Sequence, residues 1–232
     1  MAQKYKNKGY KNSFENVEPK KQSPWMAITL CALLLVAIIL GIVFAKSYFG
    51  VMHFTSNAPG ETVYNPRTGV TYMLAPMCYQ PVTLITKAPY GVYDGINYYA
   101  LQDADPKDVL TTDEDSIYDI YYNVEKPLPT LSEFKVSGAY VCEVGMIAFA
   151  IDRMTTESAI KAAELVTTLE KCEQPMNIDQ DSVLYLYFTS SEYKHLYYYI
   201  TYFTTEDGER YLMDRSFGRC VNIGDELSDV FE

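Results

Sequence analysis

Three regimes of hydrophobic patterning divide the chain. Residues 1–24 mix Lys, Asn, Gln and Ser with isolated aromatics and show no apolar period. Residues 25–44, WMAITLCALLLVAIILGIVF, carry no charge and no polar stripe, and from residue 71 onward short runs rich in Tyr, Val, Ile and Thr alternate with turn residues. A helix of about 20 residues rises ~1.5 Å per residue and reaches about 30 Å, the thickness of a bilayer's hydrocarbon core. Leu, Ile, Val and Phe fill most of this stretch, each favouring insertion by roughly 0.3–0.6 kcal/mol. A core helix of a soluble domain would keep one polar face. The pattern therefore predicts a transmembrane helix over residues 25–45 that acts as an uncleaved signal anchor.

Residues 46–70 hold Pro59-Gly60, Asn65-Pro66 and Gly69 with little periodicity, which reads as a stalk or linker. Beyond it, residues 71–232 form the expected folded part. Residues 82–86, 96–101 and 117–122 have strand composition. After Thr155-Thr156, which supply a cap, residues 157–172 bring Ile160, Ala163, Val166 and Leu169 onto neighbouring turns, with Pro175 as terminator. Residues 183–189, 196–204 and 210–215 read as three successive strands, and Asp207-Gly208 between the last two predicts a type I′ hairpin turn. The expected architecture is an α+β exterior domain, an antiparallel Tyr-rich sheet with one packed helix, after a single N-terminal transmembrane helix.

Charge sets the orientation. Six lysines and only two glutamates precede the apolar run, whereas the twenty residues after it hold just Lys46 and Glu61. This bias keeps residues 1–24 in the cytoplasm, and Trp25, Tyr48 and Phe49 suit the two interfacial belts. The C-terminal domain is then extracytoplasmic and the cell membrane is the expected location. The rival is a cleavable signal peptide ending at Val43-Phe44-Ala45, but its apolar run exceeds the ~7–15 residues of a signal core, and bulky Phe44 and Lys46 flank the junction. The part beyond the helix has 13 Lys plus Arg against 28 Asp plus Glu, about −15 of a formal net charge of −11 for the whole chain. Such acidity excludes nucleic acid as a main partner, since affinity there comes from cations on phosphates.

The chemistry-bearing residues are sparse. His53 and His195 are the only histidines, and His195 has no nucleophile or zinc-ligand spacing around it, as expected for an exposed strand or loop histidine. Asp103, Asp105 and Asp108, with residues 113–115, lack the Gly and terminal Glu of a calcium loop. No phosphate loop or nucleophile elbow occurs, so no catalytic residue, cofactor or metal ligand is assigned. Cys78, Cys142, Cys172 and Cys220 are disulfide candidates with three possible connectivities, while Cys31 lies in the apolar run. Tyrosine is the outlier, with 22 in the chain; alternation sends neighbours in Tyr197-Tyr198-Tyr199 to opposite faces, so at least one faces solvent or a groove, and Tyr197, Tyr199 and Tyr202 are the expected interaction surface.

These readings describe a single-pass membrane protein with a non-catalytic binding or regulatory exterior domain. Its expected partners are the lipid bilayer, through residues 25–45, and a protein of the membrane or envelope. The alternatives are an exported enzyme acting on envelope polymers and a secreted protein released after Ala45.

Overall fold

The computed structural model describes residues 24–56, 61–82, 88–112, 118–143 and 150–231. The basic tail, the strand expected at 82–86 beyond Val82, and the acidic residues 113–115 lie outside the described residues. The chain divides into two compact units, Met1–Gly50 and Val51–Glu232.

The first unit contains α1 (Pro24–Phe49). Every described side chain along it is exposed, and none of its most apolar stretch, Ile28–Ala45, is buried. By length and composition α1 can cross a bilayer, a property that signal sequences share. Thr29 Oγ1 donates to Trp25 O at 2.8 Å, so this hydroxyl is satisfied within the helix, as an apolar environment requires.

The second unit is mostly sheet. Its strands are β1 (Met52–His53), β2 (Thr62–Asn65), β3 (Val70–Leu74), β4 (Tyr79–Pro81), β5 (Gly91–Tyr93), β6 (Ile96–Ala100), β7 (Val109–Thr112) and β8 (Ile120–Asn123), followed by β9 (Val136–Cys142) and β10 (Ala150–Met154). After α2 (Thr156–Thr168) come β11 (Leu184–Ser190), β12 (Leu196–Thr204), β13 (Arg210–Asp214) and β14 (Arg219–Asn222), and α3 (Ser228–Phe231) closes the described chain. Among the described residues these strands form two seven-stranded sheets. The first runs β1-β5-β6-β7-β8-β3-β2; the second runs β10-β9-β11-β12-β13-β14, with β4 also paired to β12. All pairs are antiparallel except β1 with β5. The single sheet expected from sequence is thus replaced by two.

Within residues 46–70, where turn content predicted a stalk, β1 and β2 are strands of the first sheet. Met52 and His53 pair with Gly91 and Val92, and Phe54 is buried with Tyr72, Tyr98, Leu110 and Tyr121. The ring reaches this place because position 91 has no side chain: a Cβ there would lie 2.3 Å from Phe54 Cζ. Asn65 and Gly69 shape a hairpin turn instead, with Gly69 N donating to Asn65 O at 2.8 Å. Asn65 Oδ1 accepts from the Arg67 and Thr68 amides at 3.0 and 3.3 Å, closing the β2–β3 turn.

The type I′ geometry occurs at a different Asp-Gly from the one expected. Asp94 and Gly95, between β5 and β6, both have positive φ (50° and 84°), whereas at 207–208 only Gly208 does. There Thr205 and Glu209 close a three-residue loop, with Thr205 N donating to Glu209 O at 2.9 Å. The result is a type I turn ending in a left-handed glycine.

The helix begins as its cap predicts, Thr155 Oγ1 accepting from Ser158 N at 3.1 Å. Its buried face is Ala159, Ala162, Ala163 and Val166, so of the expected Ile160, Ala163, Val166 and Leu169 the middle two are buried, while Ile160 is exposed. These small residues let α2 lie close on β9 and over Ala139, Val141, Leu186, Phe188 and Ile200. The helix ends at Thr168, well before Pro175, because its last carbonyls find another partner. Arg219 on β14 donates to the carbonyls of Val166, Thr167 and Leu169, the last at 2.6 Å. Val109 and Ile120 of the first sheet belong to the same core as α2 and the second sheet.

Candidate functional site

Alternation along β12 sends its tyrosines to opposite faces. Tyr198 and Tyr202 face the core under α2, where Tyr202 stacks on Phe231 with ring centroids 3.9 Å apart. Tyr197 and Tyr199 face the other side. The register brings Tyr187 opposite Tyr199 and Tyr140 opposite Tyr187, so one face carries a tyrosine array: Tyr187 lies 5.9 Å from Tyr197 and 5.3 Å from Tyr199, and Tyr185 lies 6.3 Å from Tyr199. Arg153 sits 5.5 Å above the Tyr140 ring, within range of a cation–π attraction.

The expected interaction surface is therefore not displayed as three exposed rings. Tyr197 and Tyr202 are 8% and 4% exposed, and Tyr199 alone of the three is half-buried. Ring-on-ring packing covers the others, a tertiary effect that strand alternation does not reveal. Burial raises the hydroxyl pKa of Tyr187, Tyr197 and Tyr199 above the ordinary phenol value. All three are neutral at physiological pH, able to give hydrogen bonds but poor nucleophiles. The hydroxyls of Tyr187 and Thr201, both buried on this face, find no hydrogen-bond partner among the described residues.

Tyr199 also borders a cleft of about 260 Å³ where the ends of β3 and β8 meet β4 and β12. Its walls are apolar: Leu74, Met77, Ile120 and the rings of Tyr79, Tyr118 and Tyr199, with Gln80 and Asp119 as polar groups. Met77 is 71% exposed. The Tyr79 hydroxyl is committed elsewhere, donating to Pro129 O, and the Tyr199 amide donates to Cys78 O at 2.8 Å, fixing the ring's strand beside the cleft. The exposed thioether and the aromatic rings, next to one carboxylate, make an apolar surface beside a negative charge. Met77, Tyr118 and Asp119 were not singled out by sequence reasoning. Met77 lies in a turn, and Tyr118 and Asp119 belong to the stretch expected as a strand at 117–122 but precede β8, so the cleft emerges only where β3, β4, β8 and β12 come together.

A second recess, about 130 Å³, is lined by Tyr198, Asp214, Phe217 and Arg219. Asp214 is 4% exposed, and burial raises its pKa. Both oxygens are occupied: Oδ1 accepts from the Ser216 and Phe217 amides at 3.1 and 3.2 Å, and Oδ2 from Tyr198. This carboxylate holds the β13–β14 turn, and three hydrogen bonds tie it into the fold. His195 is half-buried rather than exposed. Its carbonyl accepts from Val82 N at 3.0 Å, and burial lowers the ring pKa, so the imidazole is neutral.

The remaining candidates separate cleanly. Asp105 Oδ1 accepts from Lys107 N at 2.9 Å and Asp108 pairs with Lys126 at 2.6 Å, as in an ordinary polar connection. No group of three His, Cys, Asp or Glu among the described residues is arranged to hold a metal ion. No disulfide joins any of the five cysteines in this structure. Cys78 and Cys142 are buried in different clusters, and burial pushes their thiols up to about 12 and about 11. Cys172 and Cys220 lie opposite one another.

The fold and site define a two-sheet, mainly antiparallel unit with a tyrosine array on one face, in a chain that also carries a long apolar helix. Comparison with protein-family models, with curated proteins and with solved structures finds no match.

Proposed function

We propose that this chain is a single-pass membrane protein, N-terminus in the cytoplasm, whose C-terminal unit is a non-catalytic binding domain of a cell-surface or envelope complex. The observation that carries the reading is the cleft beside Tyr199, where exposed Met77 and the Tyr118 and Tyr199 rings surround an apolar hollow next to Asp119. The acidity of the exterior part, with 28 carboxylates against 13 cations, favours a protein partner that presents a basic and an apolar side chain together. Anchoring rests on α1, which is apolar and exposed around its circumference, and orientation rests on the lysines before it.

The test is affinity purification of the full-length tagged chain from native membranes in mild detergent, beside Met77→Glu and Tyr199→Ala. The expected result is one stoichiometric protein recovered with the wild type and lost with both variants. Retention by both variants, or recovery of the chain alone, overturns the reading. An N-terminal epitope that leaves the membrane fraction would overturn the anchor.

A further inference from the structure

We infer that Cys172 and Cys220 form a reversible disulfide that staples the segment following α2 to β14, leaving Cys78 and Cys142 as thiols. The two residues face each other across an isolated antiparallel bridge, with Cys172 N donating to Cys220 O at 2.9 Å and Cys172 Sγ lying 3.4 Å from the same oxygen. Directly opposed antiparallel residues have Cα atoms about 4.5–5.5 Å apart, inside the roughly 4.4–6.8 Å that a disulfide spans. Both side chains belong to one apolar cluster with Phe203, Tyr211 and Met213, so no backbone rearrangement separates the thiols from a bond.

Of the three connectivities open in sequence, the two that split this pair would break the bridge. Cys78 and Cys142 cannot form a second bond without rearrangement, because one packs beneath α2 and the other in the tyrosine array. The bond would reinforce an existing grip: Arg219, next to Cys220, already holds the last carbonyls of α2.

Accessibility sets the order of steps. Cys172 is half-buried and Cys220 only 2% exposed, and burial, reinforced by Cys172, pushes the Cys220 thiol up to about 12. With a small-molecule disulfide such as oxidised glutathione as oxidant, the Cys172 thiol gives up its proton, its thiolate attacks one sulfur to form a mixed disulfide, and the departing glutathione thiolate takes up that proton. Cys220 then attacks the Cys172 sulfur of the mixed disulfide; its proton passes to the departing second glutathione thiolate. Two protein thiols are oxidised, one disulfide is reduced to two thiols, and the balance closes.

The experiment uses the purified full-length protein in detergent, treated with oxidised glutathione, denatured, and labelled with a maleimide polymer that adds mass to each free thiol. The expected label count falls from five to three and returns to five after dithiothreitol, with peptide mapping joining Cys172 to Cys220. Cys172→Ser and Cys220→Ser each abolish that joined peptide, while Cys78→Ser and Cys142→Ser retain it. Five labels after oxidation, a joined peptide involving Cys78 or Cys142, or a persistent glutathione adduct on Cys172 overturns the inference. The wild-type label count needs no variant to fold, and because the oxidant is supplied, it reads the pair independently of where the unit resides.

Discussion

Gly91 and Phe54 decide whether the residues just beyond α1 belong to the fold. In an open strand Gly→Ala gains about 0.5–1 kcal/mol by restricting the unfolded chain. At Gly91 the new methyl carbon would lie 2.3, 2.5 and 2.6 Å from three atoms of the Phe54 ring. That ring is itself 4% exposed and packed against Tyr72 and Tyr98 at centroid distances of 6.0 and 5.3 Å. It has nowhere to withdraw, so overpacking of about 1–3 kcal/mol wins over the entropic gain. Urea unfolding of the full-length protein in mild detergent, followed by the near-ultraviolet circular dichroism of tyrosine, should show Gly91→Ala lowering the midpoint by roughly 0.5–1.5 M at a slope of ~2 kcal/mol/M. Phe54→Leu should cost about 1–2 kcal/mol alone, and the double variant should cost less than the two single losses combined, with a coupling of about 1 kcal/mol or more. An unchanged or raised midpoint for Gly91→Ala, or strict additivity in the double variant, would refute the claim that β1 and Phe54 are seated on β5.

Three further outcomes follow from the same packing. Burial raises the Asp214 pKa, so the folded state holds its proton to higher pH than the unfolded chain; the associated stability is full below about 3.9 and is lost as pH rises through the raised folded value. Asp214→Asn should therefore gain stability relative to wild type with increasing pH across that window in urea melts, and parallel profiles would contradict the assignment. Arg219→Met removes the donor from three carbonyls at the end of α2 and should cost about 1–3 kcal/mol, with Arg219→Lys recovering only part because a single ammonium cannot fork; equal unfolding midpoints for Lys and Arg would refute the forked cap. A Cys172–Cys220 bond spans 48 residues of chain and should raise unfolding free energy by about 4 kcal/mol, measured as the urea-midpoint difference between oxidised and dithiothreitol-treated protein; equal midpoints would show that the crosslink restrains nothing in the unfolded chain.

The sequence reveals local structure far better than long-range pairing. Thr155 as cap and the strand over residues 196–204 were legible because side-chain donors and period-2 alternation act over a few residues. The β11–β12–β13 meander was legible for the same reason. The division into two sheets was not, since it depends on β4 pairing with β12 and β1 with β5, contacts with no local signature. The site suffered accordingly: alternation correctly placed Tyr197 and Tyr199 on one face, but their covering by Tyr140, Tyr185 and Tyr187 follows from the register of β9 and β11. The early end of α2 was hidden too, because its terminator is Arg219, a residue about 50 positions away.

The pairing of β4 with β12 also imposes a timetable on the newborn chain. Cys78, just before β4, donates its amide to the Ser216 hydroxyl, 138 residues later. β12, whose Leu196, Tyr197 and Tyr198 pair with Pro81, Gln80 and Tyr79, follows β4 by about 117 residues, so at ribosomal speeds of ~5–20 residues per second it is made roughly 6–24 s after β4. Through that interval Tyr79, Gln80 and Pro81 must stay extended without the strand that will hold them. A nascent chain in this condition has an unpaired edge open to mispairing, and a holding chaperone acting during synthesis would find its substrate there.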